Sequence, residues 1–162
     1  MNRISRSAIS GLLLASSVFL LGTGGNVTPV QTGTSLPDMV LTDQHDERMT
    51  VGRETRIIFV ATEMAASAMM TKALEALPST TLKERQAVYI ADISSMPQPI
   101  STIVAMPRMR KLAYRIAVVR HARDLAHLPR KPGSVTVVST DGGTVRAVDF
   151  ASSPEAIAAY LK

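Results

Sequence analysis

Two runs of aliphatic residues constrain the fold of this chain more than any other feature: Arg56–Ala61 (RIIFVA) and Ala87–Ile93 (AVYIADI). Neither alternates polar with apolar, so each reads as a strand buried on both faces. Between them, Glu63–Leu77 carries Ala66, Met70, Ala73, Leu74 and Leu77 at helical spacing, and Pro78 stops the pattern. Thr62 is placed to cap that helix, and Glu63 suits the positive end of its dipole. The outcome is a strand–helix–strand unit at the centre of a sheet.

The flanking sequence extends this unit in both directions. Met39–Thr42 and Arg48–Val51 read as short strands around the polar turn Asp43–Glu47. After the second buried run, Ser95 is a candidate cap for a helix that tolerates Pro97 and Pro99 in its first turn. In that helix Ile100, Ile103 and Val104 share a face, and Pro107 is expected to break it. Arg115–Val119 reads as a third strand, followed by a short helical or irregular piece over His121–His127. Val135–Thr140 and Thr144–Phe150 are strands joined by Asp141-Gly142-Gly143, which is strong hairpin chemistry. Ser153 and Pro154 open a closing helix with Ile157, Tyr160 and Leu161 along one side. Together these elements define an α/β chain: a mixed central sheet with helices on both faces.

At 162 residues the chain suits one domain. A hydrophobic content of 46% argues against disorder, and the 4% aromatic content leaves the core to Val, Ile, Leu, Ala and Met. The chain has no cysteine, which excludes disulfides, thiolate catalysis, cysteine-ligated zinc and a cysteine-linked lipid anchor.

The first 24 residues read as a leader. Arg3 and Arg6 precede the apolar run Ala8–Leu21, and Gly22-Thr23-Gly24 offers small residues for cleavage. Residues 25–35 are Thr-, Gly- and Pro-containing and read as a flexible lead-in to a domain spanning 36–162. The expected location is the periplasm; the alternative is an uncleaved anchor in the inner membrane.

The order of elements resembles the thioredoxin superfamily, and its periplasmic and peroxiredoxin-like branch in particular. Domains of that branch often open as P-D-x-x-L-x-D, which here is Pro37-Asp38-Met39-Val40-Leu41-Thr42-Asp43. The resemblance implies a thioredoxin-like three-layer fold. It also implies a redox pair, CxxC, at the start of the helix after RIIFVA. Laid onto that motif, Met64 and Ser67 occupy the two cysteine positions. A thioether has no proton to lose, and no histidine neighbours Ser67 in sequence. The resemblance further implies a cis-proline just before the hairpin; the nearest proline is Pro132, whereas counting back from the turn reaches Ser134.

Charge marks a second candidate region. Without Arg3 and Arg6, the chain from Gly25 carries 16 basic against 13 acidic residues, a net +3. Between positions 108 and 131 stand Arg108, Arg110, Lys111, Arg115, Arg120, Arg123, Arg130 and Lys131 against the single acid Asp124. Such a segment is either a solvated face or a site for an anionic surface or acidic envelope protein. Only Tyr114 interrupts it, so specific nucleic-acid binding is disfavoured. His45, His121 and His127 lack metal-ligand spacing, and neither a metal nor a cofactor is expected.

The expectation is therefore an exported, redox-inactive binding or structural module of the cell envelope. The alternative is an enzyme of changed chemistry that binds a thiol cofactor such as glutathione near Ser67. Membrane contact is expected only through the leader before cleavage. The leader generates the first prediction: intact-mass measurement of the exported protein should show a chain beginning close to Gly25, and a mass retaining Met1 contradicts it.

Overall fold

The computed structural model describes residues 28–162; the leader and the first residues of the lead-in lie outside them. Seven strands form one sheet: β1 (Met39–Asp43), β2 (Arg48–Val51), β3 (Ile57–Ala61), β4 (Ala87–Asp92), β5 (Ala117–Val119), β6 (Val135–Asp141) and β7 (Thr144–Ala151). Their order is β2-β1-β5-β4-β3-β6-β7. β3, β4 and β5 run parallel, and the outer pairs are antiparallel, so the sheet is mixed. The helices are α1 (Met64–Glu75), α2 (Thr81–Glu84), α3 (Gln98–Ile100), α4 (Met106–Met109) and α5 (Pro154–Ala159).

The two central runs behave as their composition dictates. Ile58, Phe59, Val60 and Ala61 are buried in succession, as are Tyr89, Ile90 and Ala91. Alternate residues feed different cores. Phe59, Tyr89, Ile116 and Val137 meet Ala66 and Met70 of α1, Leu82 of α2 and Ile157 of α5. Ile58, Val60, Ile90 and Val138 face the other way, under Val30, Leu36 and Leu125. The second face is thus covered by the 3-10 turn Ala122–Leu125 and by the lead-in, which is pinned from Val30 onward. The Val30 N–H donates to the His127 carbonyl at 2.8 Å, and the Leu36 N–H to Gly143 at 2.8 Å.

The hairpin closes as its turn residues require. Asp141 pairs with Thr144, and Gly142 and Gly143 take φ of 57° and 84°, the left-handed values that a two-residue type I′ loop needs. The Ser153 hydroxyl accepts from the Ala156 N–H at 3.1 Å, capping α5.

Three local expectations are corrected. Glu63, not Thr62, stands at the cap position of α1, and its side chain does not cap the helix. Pro97 rather than Ser95 precedes α3. Pro107 does not end the helical run but lies inside α4. A proline ring crowds the carbonyl four residues back, and here the turn before it is widened. Ser101–Ala105 forms a π-helical turn in which the Met106 N–H reaches the Ser101 carbonyl, and α3 and α4 continue through it.

The end of β1 carries a buried charge. The Asp43 side chain is 1% exposed, and its Oδ2 accepts from Arg115 Nε at 2.7 Å. Its Oδ1 accepts from the backbone N–H groups of His45 (2.8 Å) and Glu47 (2.9 Å). Burial alone pushes this carboxyl up, but the Arg115 guanidinium and the two N–H groups outweigh it and hold the pKa below its usual 3.8. A depressed folded-state pKa contributes stability that is complete above the unfolded value and is lost as pH falls through the folded one. Asp43→Ala should lower the unfolding free energy by about 3 kcal/mol, because it strands a partly buried guanidinium and two N–H groups. Asp43→Asn should flatten the loss of stability below about pH 4. Denaturant titrations of the three proteins across that range check both outcomes.

Candidate functional site

The carboxyl end of the parallel strands is where an open α/β sheet presents its sites. Here β3 ends at Ala61, and after Thr62 and Glu63 the chain turns into α1. Met64 is the first residue of α1 and is 77% exposed; Ser67, one turn on, is half-buried. The Glu63 carboxylate turns away from the helix and accepts from the Gly133 N–H at 3.0 Å. A second tie joins the same loop to the sheet: Arg130 Nη2 lies 3.0 Å from Asp92 Oδ2 at the end of β4. The loop before β6 is thereby held against the start of α1 from two sides. Every peptide bond among the described residues is trans, and Ser134 immediately precedes β6, so the cis-proline implied by the resemblance has no counterpart here.

Between α1 and the run Gln98–Met109 lies a cleft of about 360 Å³. Met64, Ser67 and Thr71 line one wall; Ile100, Val104 and Arg108 line the other. Tyr89, Ile93 and Ile116 contribute from the sheet side. The Thr71 hydroxyl donates to the Ser67 backbone carbonyl at 3.0 Å, and the Ser67 hydroxyl lies beside the Tyr89 phenol. Burial drives the Tyr89 pKa up to about 12, against the lowering by Ser67 and with a small further rise from Tyr114. Burial also raises Tyr114, whose hydroxyl is enclosed without a well-formed hydrogen bond.

At neutral pH both phenols are neutral, so neither serves as a base. No histidine lines the cleft beside the Ser67 hydroxyl. The arrangement suits binding.

The basic segment does not form one face. Arg110, Arg115 and Arg120 converge on the acidic turn after β1. Arg110 Nη2 is 3.0 Å from Asp46, Arg115 is 2.7 Å from Asp43 and 3.6 Å from Glu47, and Arg120 is 3.6 Å from Asp46. Arg130 is held by Asp92, Arg123 lies 3.8 Å from its neighbour Asp124, and the Lys131 ammonium sits 5.8 Å from the centre of the Phe150 ring. Arg108 and Lys111 are exposed and form no ion pair among the described residues. His45 and His121 are exposed; burial lowers the pKa of His127, whose Nε2 is enclosed without a partner.

Sequence reasoning singled out Met64 and Ser67, which line the cleft, and gave Glu63 a part only at the helix dipole; it did not single out Tyr89 or Asp92. Tyr89 reads as an ordinary core residue within AVYIADI. The signal available for Asp92 was an acid at the very end of a buried run, where strand ends carry sites.

The fold is thioredoxin-like, in a chain without a cysteine. Solved structures similar to it include a proposed protein disulfide isomerase from Bacteroides thetaiotaomicron (TM-score 0.57, 13% identity, 82% of this chain and 86% of that one). A peroxiredoxin-like protein from Aquifex aeolicus gives TM-score 0.53 at 13% identity, over 82% of this chain and 86% of that one. A SCO1/SenC family lipoprotein from Bacillus anthracis gives TM-score 0.50 at 10% identity, over 80% and 94%. At such identities the likeness is one of fold. No family model matches the chain, and neither does any curated protein sequence.

The geometry at the start of α1 generates a prediction. Met64→Cys with Ser67→Cys places two thiols one helical turn apart, within the roughly 4.4–6.8 Å Cα separation that a disulfide tolerates. The thiol at position 64, nearer the helix N-terminus, should have the lower pKa. Mild oxidation should give an intramolecular disulfide in a folded protein, read by thiol titration and mass. Thiols that stay reduced, or that pair only between molecules, contradict the placement.

Proposed function

We propose that this chain is an exported, redox-inactive thioredoxin-like protein that acts as a binding module in the cell envelope, through the cleft beside α1. One observation carries the reading. The cleft stays open at about 360 Å³ and mostly apolar, while the two positions that would hold thiols carry an exposed thioether and a hydroxyl beside a neutral phenol. Such a volume lies at the lower end of the roughly 300–1,000 Å³ typical of small-molecule sites. The leader-like first 24 residues support export, as does the likeness of fold to a bacterial lipoprotein.

A second reading, glutathione bound near Ser67 by an enzyme of changed chemistry, is favoured by Ser67 lining the cleft. Titration with S-hexylglutathione separates the two. Binding that Ser67→Ala weakens by about tenfold or more, the worth of a buried hydrogen bond, supports the glutathione reading.

The proposal is tested by placing a photoreactive benzoylphenylalanine at Met64 and, in a second protein, at the exposed Lys83 on α2. After irradiation in envelopes, a discrete adduct is expected from position 64 and not from 83, and it should vanish when Ala68→Phe fills the cleft. The same adducts from both positions, or adducts indifferent to the filling, overturn it.

A further inference from the structure

The pattern of the helical run 98–109 conflicts with its burial. Ile100, Ile103 and Val104 fall on one helix face, and such a face is ordinarily packed away. Here they are 48%, 72% and 40% exposed, and Met64 at 77% stands across the mouth of the cleft from this wall. Exposed apolar surface rimming a concavity marks a place where something else completes the core. The apolar surface continues inward: Ile93, Met96, Met109, Leu112 and Ile116 line the same cleft. An occupant therefore has an apolar body.

The charges lining the cleft say what else it carries. Asp92 is paired with Arg130 and accepts from the Ser94 N–H (2.9 Å), and Glu63 is turned to the Gly133 N–H in the loop before β6. Arg108 stands one turn beyond Val104, exposed, and has no carboxylate partner among the described residues. The Thr71 hydroxyl is spent on the Ser67 backbone carbonyl. Arg108 is the one basic side chain among the described residues that line the cleft, and it stands at the mouth.

We propose that the cleft is a site for a small amphipathic acid of the medium-chain fatty-acid type, with its carboxylate on the Arg108 guanidinium and its apolar chain along Ile100, Val104, Met96 and Ile116. This inference deepens the binding-module reading and rests on it. A planar guanidinium pairs a carboxylate through two parallel hydrogen bonds, which a neutral head group cannot reproduce. The chain covers the apolar wall that the fold leaves bare, and the volume of about 360 Å³ limits the body to a small molecule rather than a folded partner.

Isothermal titration of the domain with decanoate and with decanol tests the assignment. Decanoate should bind with one site per chain and decanol about tenfold more weakly, since a charge-assisted pair contributes on that order. Arg108→Glu should weaken decanoate by about tenfold or more and leave decanol within about twofold. Ala68→Phe, at an exposed helix position lining the cleft, should abolish both; Val104→Trp on the opposite wall serves if that variant melts early. Equal binding of acid and alcohol, indifference to Arg108→Glu, or no binding by the folded domain each overturns the assignment. None of these outcomes removes a cleft-dependent adduct at Met64, so failure of the ligand and failure of the binding-module reading remain distinguishable.

Discussion

A buried carboxylate sets the position of much of this molecule. Asp43 ends β1 with a negative charge 1% exposed, and a charge so placed must collect partners or unfold its surroundings. It collects Arg115 and two backbone N–H groups. Its neighbour Gln44 does the corresponding work for uncharged groups. The Gln44 amide donates to the Tyr114 carbonyl and accepts from the Ile116 N–H, both at 2.7 Å, which continues the β1–β5 pairing with a side chain in place of backbone. Arg110 Nε donates to the Gln44 carbonyl at 2.8 Å. Three consecutive parts of the chain, the end of the helical run, the loop around Tyr114 and the start of β5, are thus fastened to one turn. The wall of the cleft that carries Arg108 is the piece of helix immediately before this fastening. The exposed pair Arg110–Asp46 adds little energy by itself, about 0.5 kcal/mol; its part is geometric.

How much of this was legible in the sequence depended on range. RIIFVA and AVYIADI announced buried central strands because an unbroken aliphatic run has no other stable place. Asp141-Gly142-Gly143 announced a two-residue hairpin because left-handed backbone at both central positions selects glycine. These are local rules. The junction at Asp43 is not local: its charged partner Arg115 lies 72 residues away, and Arg110 meets Gln44 across 66. An acidic turn and a basic stretch read separately as a polar hairpin end and as a candidate anion surface. Nothing in either run states that they meet. Pro107 misled for the opposite reason. The rule that a proline breaks a helix holds for an α-helical turn, and the preceding turn here is wider.

The frame that α1 supplies is indifferent to the chemistry placed on it. Its first turn still presents N–H groups without a side-chain cap, because Glu63 is used to hold the loop at Gly133. In a thiol protein that end of the dipole stabilises a thiolate. With Met64 and Ser67 there is no acid for it to ionise. Tyr89, beside Ser67, is driven the other way by burial, to about 12.

An open cleft in a packed domain has to be accounted for energetically. Empty volume costs contacts on every wall, and a chain free of other demands closes such space with larger side chains or a shifted helix. This chain does neither. Small residues at Ala68 and Ala105 hold the walls apart, and the helix opposite α1 turns isoleucines toward water that its own periodicity would have buried. Two costs in one place, an unfilled cleft and an uncovered apolar face, are both offset by a single occupant with an apolar body. An occupant that also carries a negative charge satisfies Arg108, the third unbalanced feature of the same site. Stability of the domain and occupancy of the cleft are then linked. An occupant that binds only the folded chain stabilises it in proportion to the logarithm of its concentration.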